Sequence, residues 1–127
     1  MPCLDAPVRV LLVEDEALIG MALAEQLEEA GFRVLLVTSA EEATGILRNR
    51  QQCLSAFVTD IRLGEGPDGW ELGTQARQLW PNIPVVYMSG DSAAAHAIYG
   101  VPQSVMLQKP FAAAQMVTAI STLLNER

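Results

Sequence analysis

Four places in the sequence carry side chains able to do chemistry, and each comes at the end of a short apolar run. Glu14, Asp15 and Glu16 follow Val8 to Val13. Asp60 follows Leu54 to Thr59. Ser89, Gly90 and Asp91 follow Pro84 to Met88, and Lys109 and Pro110 come just after Ser104 to Leu107. Glu14, Asp15 and Asp60, gathered in an apolar-walled cleft, would repel one another. Such a site either raises a carboxylate pKa or binds a cation. Oxygen ligands alone favour Mg²⁺ or a similar hard ion, which takes few carboxylates and keeps several waters. A lysine and a hydroxyl at the same edge could hold phosphoryl oxygens, and an aspartate beside a metal can act as a nucleophile toward phosphorus. Lys109 and the metal would then neutralise charge on the transferring group.

Each position also has a plainer role. Acidic residues after a strand often serve as helix N-caps, favoured by the helix dipole. Asp60 alone could cap a turn, and Ser89 alone reads as a turn residue. Lys109 is harder to dismiss, because it is the only lysine in a chain that otherwise uses arginine for positive charge. The four positions together argue far more strongly than any one of them.

The elements that must position these groups alternate regularly. The apolar runs at Val8–Val13, Arg33–Val37, Leu54–Thr59, Pro84–Met88 and Ser104–Leu107 have the character of strands buried on both faces. Helices are expected between them. The first runs from Glu16 to Ala30, with Ile19, Ala22, Leu23, Leu27 and Ala30 on one face and Gly31 as its stop. The second follows Ser39, an N-cap paired with Glu42 in a capping box, and runs to about Asn49. The third spans about Asp68 to Trp80. The fourth is short and alanine-rich, Ser92 to Tyr99, ending at Gly100. The last spans about Ala112 to Asn125, with Met116, Val117, Ile120, Leu123 and Leu124 inward. Five strands alternating with five helices imply an α/β, doubly wound parallel sheet covered on both faces. Ligands in such sheets bind at the carboxyl ends of the strands, where the four positions lie.

Composition narrows the classes. A chain of 127 residues, half of them hydrophobic, suits one domain with a real core. The net charge of −7 and the scattered arginines make nucleic acid a poor partner. No apolar run approaches the length that spans a bilayer, and the first residues do not resemble a secretion signal. Cys3 and Cys53 stand at neither metal nor redox spacing and are expected to be reduced thiols in a cytoplasmic protein.

The motifs in order resemble the receiver domain of two-component response regulators. VLLVEDE (Val10 to Glu16), VTDIRLG (Val58 to Gly64), DGWEL (Asp68 to Leu72), VVYMSG (Val85 to Gly90) and LQKPF (Leu107 to Phe111) match its five landmarks across essentially the whole chain. The resemblance implies a flavodoxin-like fold with strand order 2-1-3-4-5, and the length of the chain leads to the expectation of a single, stand-alone receiver over residues 1–127. It makes Asp60 the phosphoacceptor. It assigns Mg²⁺ to Asp15, Asp60, Glu14 (directly or through water) and the backbone carbonyl of Arg62. Ser89 becomes the switch hydroxyl, Lys109 the phosphoryl partner, and the Lys109-Pro110 bond is expected to be cis. The implied partners are a sensor histidine kinase or histidine phosphotransfer protein and a downstream protein target. Monomer or weak homodimer is expected. The output face would join the fourth helix, last strand and last helix through Ala94, Ala95, Tyr99, Met106 and Gln108.

Departures from that family stand out. Met106 occupies the position of the usual switch aromatic, and Tyr87 or Tyr99 could replace it, although core packing suits Tyr87. The loop from Asp60 to Asp68-Gly69 is one residue longer than usual. It also spells G-x-G-x-x-G from Gly64 to Gly69, but Glu65 and Asp68 would oppose a pyrophosphate, so a turn with Asp68 as N-cap is expected instead. Trp70 and Trp80 are read as packing residues and His96 as an exposed helical residue. Arg62 could touch the phosphoryl group or simply face solvent. Two other functions compete: an aspartate-nucleophile phosphatase or hydrolase, which would need a second acid/base where Arg62 stands, and a binding module independent of phosphorylation.

Overall fold

Strands and helices alternate along the chain. The computed structural model describes residues 7–49, 51–91 and 93–126. The elements are β1 (Arg9–Val13), α1 (Ala17–Glu29), β2 (Arg33–Val37), α2 (Ala40–Arg48), β3 (Ala56–Asp60), α3 (Gly69–Leu79), β4 (Val85–Ser89), α4 (His96–Tyr99, entered through a 3-10 turn at Ala93–Ala95), β5 (Ser104–Gln108) and α5 (Ala113–Glu126). The strands pair in parallel in the order β2-β1-β3-β4-β5. The order reverses between β1 and β3, which brings the ends of β1, β3, β4 and β5 to one edge.

Alternate side chains of each strand feed two cores. Leu11, Val13, Phe57, Val85 and Tyr87 pack toward α2 and α3 with Leu47, Leu72 and Ala76. Val10, Leu12, Val58, Val86 and Met88 pack on the other face toward α1 and α5 with Leu23, Leu27, Met116 and Ile120. The central strands β3 and β4 are buried throughout, so no polar alternation marks them in the sequence.

Local signals set the helix ends. The Ser39 hydroxyl accepts from the Glu42 N–H at 3.2 Å, and the Glu42 carboxylate accepts in return from the Ser39 hydroxyl and the Thr38 N–H. Asp68 caps α3 by accepting from the Glu71 N–H at 2.9 Å. The glycines of the apparent dinucleotide motif have a conformational role: Gly64 and Gly66 turn the loop at φ 81° and 86°. Gly69 opens α3 directly against β3, where a Cβ would run into the Asp60 carbonyl.

Three expectations are corrected. α1 buries Gly20, Leu23 and Leu27, while Ile19 is 46% exposed and Ala22 and Ala30 face solvent. Gly20 lies against Leu36 and Glu14 and brings the helix close to the sheet there, which rotates the buried stripe away from Ile19. His96 is half-buried rather than exposed. Its ring packs beside Trp70 and Tyr87, and its Nε2 lies 2.8 Å from the Ser104 hydroxyl. Cys53 is disulfide-bonded rather than a reduced thiol, whereas Cys3 lies outside the described residues. Trp70 and Trp80 are packing residues as expected. Trp70 sits 4.6 Å from Tyr87 between ring centroids, and the Trp80 indole donates to the Leu47 carbonyl. No helix among the described residues is long and apolar enough to cross a membrane.

Candidate functional site

Each expected site residue sits where a buried strand stops and the chain turns outward. β1 delivers Glu14 and Asp15, β3 delivers Asp60, β4 ends on Ser89, and Lys109 follows β5. The Lys109 N–H donates to the Ser89 carbonyl at 2.8 Å, which extends the β4–β5 pairing and fixes the lysine beside the hydroxyl. The Lys109-Pro110 bond is cis.

The lysine spans two buried acids. Its Nζ lies 2.7 Å from Asp60 Oδ1 and 3.0 Å from Glu14 Oε1. Glu14 is 1% and Asp60 4% exposed, whereas Asp15 faces solvent at the rim. The second oxygen of Glu14 accepts from the Glu16 N–H at 3.2 Å. One lysine serves two buried acids, and burial weighs first on the protonation of both. Burial first, then the neighbouring Glu14, pushes the Asp60 carboxyl up to about 8 against the pull of Lys109. Burial also raises Glu14, but its hydrogen bonds with Asp60 and Lys109 outweigh it and hold the carboxyl below its usual value. Lys109 is held above the usual lysine value, its two acidic partners outweighing burial.

Glu14, Asp15 and Asp60 each offer an oxygen within 4.8 Å of the others. Three hard oxygen donors with surplus negative charge fit a divalent cation such as the resemblance implies. The open side of the cluster is a cleft of about 220 Å³ bordered by Asp15, Asp60, Arg62, Ser89, Asp91 and Lys109.

The sequence places Asp91 at the sheet edge but assigns it no role in the site. Asp91 accepts from the Ser89 hydroxyl at 3.2 Å and is ion-paired with Arg62 at 2.7 Å. A signal was available: Arg62 stands two residues after Asp60, and Asp91 two residues after Ser89. A second, apolar cleft of about 550 Å³ adjoins Lys109, lined by Ile19, Ala22, Leu23, Pro110 and Phe111. Helical spacing that puts Ile19 in the core hides this cleft from the sequence.

The expected output residues lie on the 3-10 turn before α4, on α4 and on β5. Tyr99 is 59% exposed, Gln108 and Ala94 face solvent, and Ala95 and Met106 are half-buried. Met106 sits opposite Tyr87 on β4. Tyr87 is fully buried, and its hydroxyl accepts from the Val101 N–H just past α4 at 3.1 Å, so core packing is its role, as expected.

Known proteins share both the sequence pattern and the fold. The model of the response regulator receiver domain matches residues 10–121. The response regulator protein FleR of Pseudomonas aeruginosa is 30% identical over 115 residues, which are 89% of this chain and 24% of FleR. The chain thus spans about a quarter of that protein. The response regulator receiver protein CpdR of Brucella abortus is 30% identical over 118 residues, covering 91% of this chain and 96% of CpdR. Among solved structures, the response regulator receiver protein of Sinorhizobium medicae WSM419 superimposes with a TM-score of 0.91 at 42% identity, covering 94% of this chain and 96% of that one. Five landmarks in register, a sheet in the order 2-1-3-4-5 and a family model spanning nearly all of the described residues agree: the chain belongs to the response regulator receiver domain family.

Proposed function

We propose that Asp60 accepts a phosphoryl group from a phosphohistidine on a sensor histidine kinase or a histidine phosphotransfer protein. Members of this family are signalling modules of two-component systems. The observation that carries the reading is Asp60 itself: a nearly buried carboxylate at the end of β3, 2.7 Å from Lys109 and grouped with Glu14 and Asp15. The residues that would hold Mg²⁺ are Asp15, Asp60, Glu14 and the backbone carbonyl of Arg62. When bound, Mg²⁺ supplies positive charge against the carboxylates and the transferring oxygens.

Asp60 does the bond-making. An Asp60 carboxylate oxygen attacks phosphorus, the P–N bond to the donor imidazole breaks, and its electron pair returns to that nitrogen. Lys109 stays within reach of the charge that gathers on the phosphoryl oxygens. Ser89 then turns its hydroxyl toward the new group. Chemistry beyond self-phosphorylation and self-dephosphorylation is not part of this reading, since Arg62 stands where a hydrolase would carry its second acid/base. Residues 1–127 act as a single receiver domain, as a monomer or weak homodimer. The phosphohistidine donor implies the cytoplasm, where ATP feeds such donors; the cysteines no longer argue for it, because Cys53 is disulfide-bonded.

Intact mass measures the central step. Acetyl phosphate with Mg²⁺ should add one phosphate-sized increment to the parent and none to Asp60→Asn. An increment that persists in Asp60→Asn would place the acceptor elsewhere.

The output surface is the face built from α4, β5 and α5, with Ala94, Ala95, Tyr99, Met106 and Gln108. What supports it is a helix too short to bury any side chain, with Tyr99 59% and Ile98 74% exposed. An element so weakly held can shift cheaply when charge arrives at the site. Tyr99→Asp should weaken the phosphorylation-dependent contact with the downstream protein by about tenfold or more, as a central aromatic contact would. Unchanged affinity would remove this face from consideration.

A further inference from the structure

Two loops cross the mouth of the Asp60 cleft, and they are joined to each other. Arg62, on the loop after β3, places Nη2 2.7 Å from Oδ2 of Asp91, on the loop after β4. The other oxygen of Asp91, Oδ1, accepts from the Ser89 hydroxyl at 3.2 Å, and the Asp91 N–H donates to the same hydroxyl at 3.2 Å. The Ser89 proton is therefore directed at Asp91 rather than into the cleft. Arg62, Ser89 and Asp91 all border the cleft that holds Asp60.

We propose that Arg62 and Asp91 form a charge latch on the switch hydroxyl: Arg62 holds Asp91, Asp91 holds Ser89, and a phosphoryl group on Asp60 opens the latch by drawing Arg62 to itself. The proposal rests on Asp60 being the acceptor. Its physical basis is competition for one guanidinium. The Arg62–Asp91 pair is exposed, with side chains 78% and 57% accessible, so water and salt screen it and it exchanges readily. A phosphoryl group brings up to two negative charges and three acceptor oxygens, which match the planar fork of arginine better than one carboxylate does. The same charge repels Asp91. Stripped of its counterion beside a phosphoryl group, Asp91 swings away, and Ser89 is free to donate to a phosphoryl oxygen. Arg62 thus assists the phosphorylated state and Asp91 opposes it, although the two are bonded to each other.

That opposition is the test. The probe is beryllofluoride, a phosphoryl mimic, with affinity read by calorimetry at saturating Mg²⁺ so that changes in the metal site do not intrude. Arg62→Gln should weaken binding by about tenfold, the loss of one charge-assisted contact. Arg62→Lys should recover part of that loss, since it keeps the charge without the fork. Asp91→Ala should tighten binding by about threefold to tenfold, the release of one hydrogen bond on Ser89. Both substituted side chains, Arg62 and Asp91, are exposed, so circular dichroism of all three variants should match the parent. Changes of opposite sign support the latch. No change in either variant, or changes of the same sign, overturn it while leaving Asp60 as the acceptor. A parent protein that fails to bind beryllofluoride overturns both the acceptor reading and the latch.

Discussion

Lys109→Met is expected to lower the stability of the metal-free protein by about 3 kcal/mol at neutral pH, near the low end for stripping buried acids of their partner. The lysine contacts both Asp60, at 2.7 Å, and Glu14, at 3.0 Å, and these acids have almost no access to water. Methionine keeps the apolar stem and removes the charge. The loss falls at the low end because Asp60 can take a proton and remain hydrogen-bonded to Glu14. Asp60 already keeps its proton over this range in the parent, so the loss should change little between pH 7 and 5. It should shrink when Mg²⁺ is added, since a cation bound only by the folded state stabilises it and supplies charge in place of the lysine. Urea denaturation with and without a chelator measures all of this. A Lys109→Met midpoint equal to the parent's in metal-free buffer would mean that the two acids are not held by the lysine.

The second large effect is a stability that falls as the pH rises. The Asp60 carboxyl is raised from 3.8 to about 8 in the folded protein. Between those values the folded state keeps a proton that the unfolded chain releases. Stability from this group is complete below about 4 and is lost as the pH climbs through about 8. The other two members of the cluster act elsewhere. Glu14 is lowered from 4.5, so its contribution is lost only as the pH falls below that value. Lys109 is raised from 10.5, so its contribution is lost only above that value. From pH 5 to 8 the slope belongs to Asp60. One proton gives about 1.4 kcal/mol per pH unit, so metal-free protein should lose roughly 4 kcal/mol across that range. Asp60→Asn removes the titrating group, so the curve should flatten and the variant should be the more stable protein at pH 8. A parent whose urea midpoint is level from pH 5 to 8 would contradict a buried, proton-holding Asp60.

These two results bear on function as well. A carboxyl that keeps its proton near neutral pH is a poor nucleophile, and positive charge placed beside it frees the oxygen for attack. Lys109 supplies part of that charge and holds the metal-free cluster together.

The alternation of strands and helices was legible because it is written in local signals. Ser39 with Glu42, Asp68 and Gly31 mark helix ends through bonds made within a few residues. Strands buried on both faces read as unbroken apolar runs, and parallel order then follows from right-handed crossovers. The reactive residues were legible for a related reason. A charged group at the end of an apolar strand has one place to go, the sheet edge where strand order reverses. Glu14, Asp15, Asp60, Ser89 and Lys109 all lie there.

What the sequence could not carry is whatever depends on how distant surfaces meet. Ile19 satisfies the helical spacing of a core residue, yet the close seat of Gly20 on Leu36 and Glu14 turns it outward and opens the apolar cleft. His96 reads as a surface residue until α4 lays it against Trp70 and Tyr87. The pairing of Arg62 with Asp91, 29 residues apart, depends on the paths of two loops. The sequence alone determined which groups stand at the sheet edge, because strand length and periodicity are local properties. Only the tertiary structure decided which acid keeps its proton and which loop restrains the switch hydroxyl, because those depend on burial and on distances of about 3 Å between residues far apart in the chain.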